Sequence, residues 1–415
     1  MAHLLILELP GGNDTDLLQA AMDRGDTFTF LTAQQDHYQQ QPKVWDMLGA
    51  ARDILEITPF DYAEVEARVL AIHAISAFDA VLCLIDTRVV EAARLAARLG
   101  CRHLNHASAV LLRDKFNVRC RLRERGIAQP EFELATSNAM LTTVVEHMGL
   151  PVLIKPCDGY GSQNIIVLRY PEDRDPLLCP LDDFLPSHAD YGLGVLATDR
   201  LLVERYMPGT VIGCDTMTID GRHRLLGINE KIFFEPPSFA IRGGCFKANT
   251  LAFQEIEQYV FAALDAVDFD WGAAHTELMI TDDGPRLIEI NPRLVGAKIA
   301  RLVGYALDAS VHKDLIALHV GETVPPRTAG ANGYAVTRWL VANEEGAFDH
   351  VDLPNSDDPR IRCVEILKKP GDYVGPPFEN ADRIGYVMVC SHSQHEAELL
   401  ADAFIAQCKL TIYPL

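Results

Sequence analysis

No two of the ten cysteines stand in a CxxC pair, and neither a Walker A loop nor a GxGxxG fingerprint occurs in the chain. The first absence argues against a redox dithiol or a zinc ribbon and points to buried free thiols in a reduced setting. The second means that any nucleotide must be held without a P-loop; the Pro10-Gly11-Gly12 turn is not a dinucleotide fingerprint either. Long apolar runs are also missing. The opening MAHLLILELPGG has no basic n-region, and its apolar stretch is far too short for a signal peptide or a membrane span, so a cytoplasmic protein is expected. Basic residues are scarce: 37 Lys and Arg against 58 Asp and Glu give a formal net charge of −21. That balance supplies no long-range attraction to nucleic acid or to an anionic membrane, so neither is expected as a partner. His103 and His106, like His392 and His395, have i,i+3 spacing, but nothing nearby completes a zinc set.

What is present is apolar: hydrophobic residues make up 48% of the 415, enough for sizeable cores. Short apolar runs at 3–9, 28–31 and 80–85 alternate with helical patterns, one after Asp14 and one over 89–99. A small parallel α/β domain over residues 1–106 is expected from this. Residues 107–125 read as one basic helical stretch. Strands at 151–156 and 165–168 enclose Cys157-Asp158-Gly159-Tyr160-Gly161-Ser162-Gln163-Asn164. Residues 172–199 are polar and rich in Pro and Asp, as in an insertion, and strands follow at 201–206 and 214–219. Beyond 300 come a helix, a Pro325-Pro326 link, strands near 334–341, 361–367 and 383–389, and a helix over 394–407.

The segment HTELMITDDGPRLIEIN, residues 275–291, is the most informative. Two apolar runs flank Asp282-Asp283-Gly284, which reads as a three-residue hairpin loop. Centring the hairpin on Asp283 sets Glu277 opposite Glu289 and His275 opposite Asn291, all on one face. Leu278, Ile280, Ile288 and Ile290 fall on the other, core-facing side. Two carboxylates facing each other at about 5 Å between Cβ atoms repel unless they share a proton or a cation. With an Asn amide oxygen beside them they form the hard oxygen set that Mg²⁺ accepts together with substrate phosphates. A solvated strand face with two unrelated glutamates explains the hairpin alone about as well, and a bulge would shift the register. Arg293, just beyond, can grip a phosphoryl or carboxylate group with its fork.

Lys155 ends a buried apolar strand, where an ammonium is expensive unless it meets an anion, although a lysine snorkelling to solvent fits the same pattern. The DGYGSQN stretch after it suits a loop closing over phosphates. Lys115 lies in RDKFNVRCRLRER, which by itself reads as a solvated helix face. Glu204, with the backbone of Arg205, Tyr206 and Met207, ends a strand and could recognise an adenine edge.

Taken in order, Lys115, PVLIKPCDGYGSQN, LLVERYMPG and HTELMI…RLIEINPR resemble the ATP-grasp superfamily over about residues 107–300. LLGINEKIFFEPPSF, HTEL and LIEINPRLVGAKIARLV are most similar to the L-amino-acid ligases, which make dipeptides or dipeptide-like antibiotics and toxins. The resemblance implies an α/β (α+β) ATP-grasp fold: an N-terminal parallel domain over 1–106, a nucleotide-binding domain over 107–300 with a small lid at about 150–205, and a C-terminal lid-bearing domain with antiparallel sheet over 301–415. It implies ATP with Mg²⁺, or Mn²⁺ in its place, amino acids or similar carboxylates as substrates, an acyl-phosphate intermediate, and allows a homodimer. Lys115, Lys155, Gly159, Gly161 and Ser162 would then hold phosphates, and Glu204, Arg205, Tyr206 and Met207 adenine. Glu277, Glu289 and Asn291 would bind the metal. Arg293, Lys155, Glu230 and Lys231 would serve catalysis, and His275, Arg293, Lys298 and Arg301 would face the substrate. Three departures stand out. The ribose-binding Glu of a PGxE pattern is replaced by Val211, which leaves Asp215 as a substitute. Val295-Gly296-Ala297-Lys298 stands where Gly-Gly is common. Gly243-Gly244-Cys245 lies near the place of a usual histidine. Other ATP-grasp chemistries, a carboxylase, a purine-pathway ligase or a kinase, and a non-catalytic nucleotide-binding protein are the alternatives.

Overall fold

The computed structural model describes residues 1–159, 165–171, 200–235, 240–248, 251–296, 298–327, 333–378 and 380–414. Its first sheet is parallel and has the order β3-β2-β1-β4, from β1 (His3–Leu7), β2 (Thr27–Thr32), β3 (Asp53–Glu56) and β4 (Ala80–Cys83). Helices cover both faces, so β1 and β4 are buried along their whole length and β2 nearly so, its Thr29 and Thr32 included. Leu4 and Ile6 enter one core, Leu5 and Leu7 the other. Asp61 caps the helix Tyr62–Ile75 by accepting the Glu64 N–H at 2.9 Å, and the helix Val89–Leu99 stops at Gly100, which is left-handed.

The stretch expected as one helix over 107–125 is two, His106–Leu112 and Lys115–Glu124. Asp114 breaks it, because its side chain accepts the Asn117 N–H and starts the second helix afresh. Lys115 is thereby moved from a mid-helix surface to a helix's first residue.

A second, antiparallel sheet has the order β5-β8-β6-β7: β5 (Phe132–Ala135), β6 (Val152–Pro156), β7 (Ile166–Leu168) and β8 (Leu201–Arg205). It packs on the helix Asn138–Met148 through Val144, Val145 and Ile154. It therefore begins at Phe132, ahead of the small lid expected at about 150–205.

The largest sheet has eight strands. β9 (Thr210–Ile219), β10 (Arg222–Phe233), β11 (Ile241–Ala248), β12 (Gly272–Thr281) and β13 (Gly284–Asn291) come first along the chain. The last part of the chain adds β14 (Tyr334–Leu340), β15 (Gly346–Asp352), β16 (Ile361–Ile366), β17 (Tyr373–Val374), β18 (Gly385–Ser391) and β19 (Lys409–Tyr413). The order β13-β12-β9-β10-β11-β14-β18-β16 carries this sheet straight across residue 300, while β17-β15-β19 form a small separate sheet. Among the described residues no helix is long and apolar enough to cross a membrane, and the nine described cysteines are all free.

Candidate active site

The hairpin β12–β13 puts Glu277 opposite Glu289 and His275 opposite Asn291, as expected, but by a different route. Thr281 pairs with Gly284, so the loop has two residues, Asp282 and Asp283, rather than three. A bulge then shifts the register between Glu277 and Leu278. The two one-residue offsets cancel at the carboxylates. They do not cancel nearer the turn: Leu287, 1% exposed, takes the core place expected for Ile288, whose carbonyl turns toward the site.

Each acid in this face rests on its own cation. Lys231 Nζ lies 2.6 Å from Glu277 Oε1, and Lys115 Nζ lies 3.3 Å from Glu289 Oε2. Asn291 donates its amide N–H to Glu289 at 3.0 Å, which turns its amide oxygen outward from that bond. His275 joins Asp215, 2.9 Å from Nδ1, to Glu277, 3.4 Å from Nε2. Burial alone would lower the His275 pKa; Asp215 and Glu277 overcome it and carry the imidazole up to about 9. Burial would likewise raise Glu277, but Lys231 and His275 hold it well below the usual carboxylate range. Glu277 is thereby held as an anion, which is what a divalent cation needs. No group of three His, Cys, Asp or Glu side chains is poised for a metal among the described residues. The donor set Glu277, Glu289 and the Asn291 oxygen thus fits a hard cation completed by phosphate oxygens and water, not a closed structural site.

Lys155 does not snorkel. It is 4% exposed, with Nζ 2.8 Å from Glu204 Oε2 and 3.3 Å from the Ile288 carbonyl. Glu204 is held from its other oxygen by Arg119 Nε at 2.5 Å. Burial favours neutral Lys155 and lowers its pKa, with Glu204 opposing and Arg119 reinforcing the shift. For Glu204 burial acts upward, and the two cations outweigh it and lower the pKa. Both Glu204 oxygens are committed to cations, so its first task is to hold Lys155 and Arg119 in place.

Lys155, Glu204, Tyr206, Met207, Val211 and Lys231 line one cavity of about 240 Å³ between the second and the large sheet. The N–H groups of Arg205 and Tyr206 donate to the Glu131 and Pro151 carbonyls, and the Arg205 side chain turns to Gly149, Met148 and Glu131. The donor that could meet an adenine edge is therefore Met207's. Lys115 also donates to the Gly159 carbonyl. Gly161 and Ser162 lie outside the described residues. A larger cavity, about 420 Å³, is walled by Met217, Arg224, Leu318 and Arg327 and includes none of the expected site residues.

Several expected positions fall elsewhere. Asp215 is 3% exposed, with its oxygens taken by His275 and by Asn229, 2.5 Å away, so it is no ribose contact. His275 is equally buried and orients Glu277 instead of facing a substrate. Glu230 and Lys231 are consecutive in β10 and so point to opposite faces; Glu230 pairs with Lys247 at 2.5 Å, away from Glu277. Lys298 lies 3.5 Å from Asp14, and Arg301 is bound to Asp16 and 3.4 Å from Glu365, a cluster tied to the N-terminal helix Asp16–Asp23. Arg293 does reach a site: its Nε and Nη2 lie 3.0 and 2.6 Å from Asp86 Oδ2. Sequence reasoning missed Arg119 and Asp86. Arg119 carried a signal, four residues after Lys115 and hence on the same helix face.

Gly213 lies directly opposite Glu277, and an added Cβ would stand 2.4 Å from His275 Cε1. Gly213→Ala is therefore expected to displace the imidazole, costing about 1–3 kcal/mol of stability. Thermal melting and ADP release should fall together; an unchanged melting temperature would show that the ring has room to move.

The ATP-grasp domain family matches residues 148–301, and the L-amino acid ligase C-terminal domain 2 matches residues 338–412. The uncharacterized protein y4rH of Sinorhizobium fredii is 27% identical over 301 residues, 71% of this chain and 60% of that protein's length. The L-arginine-specific L-amino acid ligase of Bacillus subtilis is 20% identical over 372 residues, covering 85% of this chain and 84% of that one. In fold, the chain is similar to the L-amino acid ligase from Bacillus licheniformis, with a TM-score of 0.79 at 18% identity over 100% of this chain and 99% of that one. The chain thus carries an ATP-grasp domain over residues 148–301 and, over residues 338–412, a C-terminal domain of the L-amino acid ligase type.

Proposed function

We propose that this protein joins a carboxylate, an amino acid or close analogue, to the amine of a second amino acid, with ATP converted to ADP and phosphate. The observation that carries this is the facing pair Glu277 and Glu289, each already matched to a lysine, with Arg293 just beyond. In the resting site the acids and lysines neutralise one another. Mg²⁺, held by Glu277, Glu289 and Asn291, would neutralise charge on the phosphates. Lys115 and Lys231 are then free to hold phosphate oxygens in place of their acids, while Lys155 reaches the phosphates from its place on Glu204. A carboxylate oxygen attacks the γ-phosphorus and ADP leaves, giving an acyl phosphate. The amine attacks the acyl carbon, phosphate leaves, and the amine's proton is lost. Arg293 faces charge that develops on the transferred group. The similarity to an L-arginine-specific L-amino acid ligase favours amino acids over bicarbonate as the acid. A dipeptide antibiotic or toxin is a product of the expected kind. The free cysteines fit a reducing cytoplasm.

ADP release screened over pairs of amino acids, with mass spectrometry of the product, tests the reaction. In the same assay hydroxylamine should trap a hydroxamate when the acid and Mg·ATP are present without the amine. AMP with pyrophosphate, or a phosphorylated product that resists hydroxylamine, would overturn the ligase reading.

A further inference from the structure

Asp86 follows β4, at the end of the parallel sheet where its strands deliver their C-terminal residues, and opens the short turn Asp86–Arg88. It lies 207 positions from Arg293 and outside the part of the chain matched by the ATP-grasp domain. Three Arg293 donors are fixed: Nε and Nη2 on Asp86 Oδ2, at 3.0 and 2.6 Å, and Nη1 on the Leu294 carbonyl at 3.0 Å. These contacts hold the guanidinium plane and leave one N–H on each of Nη1 and Nη2 for another acceptor. A pair that served only to dock two domains would be expected to use both carboxylate oxygens in a fork-to-fork contact. Here both donors meet one oxygen, and the buried Oδ1 has no hydrogen-bond partner among the described residues. Asp86 is 7% exposed and lines the same cleft as Lys115, Glu289 and Asn291. Burial would raise its pKa, but Arg293, then Arg113 and Lys115, hold the carboxyl below its usual range, so the grip is ionic.

We propose that Asp86 is a positioning residue for ligation: it fixes the plane of the Arg293 guanidinium so that the two remaining N–H groups meet the transferring phosphoryl group. This rests on the reading of Arg293 given above. The N-terminal sheet then supplies part of the chemistry rather than only a neighbouring surface.

The test combines Asp86→Asn, Asp86→Glu, Arg293→Gln and the double variant Asp86→Asn with Arg293→Gln in the full chain. ADP release is measured with amino-acid pairs and as basal ATP hydrolysis, beside calorimetric ATP affinity and the melting temperature. Asp86→Asn is expected to lower kcat about 10²-fold, as when one aligned donor is lost, and to leave KM and Kd for ATP within about threefold. Added to Arg293→Gln, it should lower kcat no further, because its effect passes through that arginine. Should Asp86→Asn not fold, Asp86→Glu keeps the charge, shifts the oxygens by one methylene, and should still lower kcat. Unchanged kcat in a folded Asp86 variant overturns the proposal. So does a loss of stability alone, or a kcat loss that adds fully to that of Arg293→Gln. If Arg293→Gln itself turns over normally, the reading of Arg293 fails first. If no amino-acid pair releases ADP, the proposed substrates fail, and the coupling is still read from basal hydrolysis.

Discussion

Glu289→Gln should remove nearly all ADP-forming turnover, by about 10³-fold, while the fold stays intact. The two effects separate because of where the side chain lies. Its carboxylate faces Glu277, with Lys115 3.3 Å away and Asn291 donating at 3.0 Å. The core side of the hairpin, Leu278, Leu287 and Ile290, is untouched by the change. The pair with Lys115 is partly buried, and glutamine can still accept from the lysine, so the structural cost should stay within about 1–3 kcal/mol and the melting temperature should fall only modestly. Glutamine keeps the volume but supplies one neutral oxygen where a cation needs an anion. The measurement is ADP release at saturating Mg²⁺ beside a thermal melt; near-wild-type turnover would remove Glu289 from the metal set.

The hairpin was legible because three signals agree there: a turn-forming Asp-Asp-Gly, apolar alternation on both sides, and two acids at matching distance from the turn. The bulge was not, since nothing in LMITDDGPRLI marks where an extra residue sits. Its consequence, Leu287 in the core and the Ile288 carbonyl toward Lys155 and Arg119, could not be read in advance. β11 was overlooked for a related reason. Its Gly243-Gly244 resembles a loop, yet a Cβ at Gly244 would stand 2.5 Å from the Glu230 carbonyl oxygen, so the small residue serves close strand approach. The pairs that organise the site join distant positions: Asp86 with Arg293, Glu204 with Arg119, Glu277 with Lys231. Local patterns carry no information about such partners. Asp215 shows the same limit in reverse: a polar residue in the right neighbourhood reads as a contact, yet its strand turns it inward to His275.

Arg119, Lys155 and Glu204 form a buried group with two cations and one anion, and the excess positive charge faces the 240 Å³ cavity. Two variants of this group should therefore fail in different ways. Lys155→Met keeps most of the volume and leaves Glu204 on Arg119, 2.5 Å away. Its structural cost should be about 1–3 kcal/mol, that of one lost buried hydrogen-bond partner. Nucleotide affinity should fall about 10- to 100-fold, since a charge-assisted bond is worth about 1.5–3 kcal/mol. Glu204→Gln instead leaves two buried cations facing each other without a counter-charge. Breaking a buried pair from one side costs about 3–5 kcal/mol, so this variant should melt well below Lys155→Met. Calorimetric ATP titration and thermal melting of both proteins, each in Mg²⁺ buffer, give the comparison. Unchanged ATP affinity in Lys155→Met would make Lys155 a structural partner of Glu204 and nothing more. Equal melting temperatures for the two variants would show that Arg119 and Lys155 do not depend on Glu204 for their charge balance.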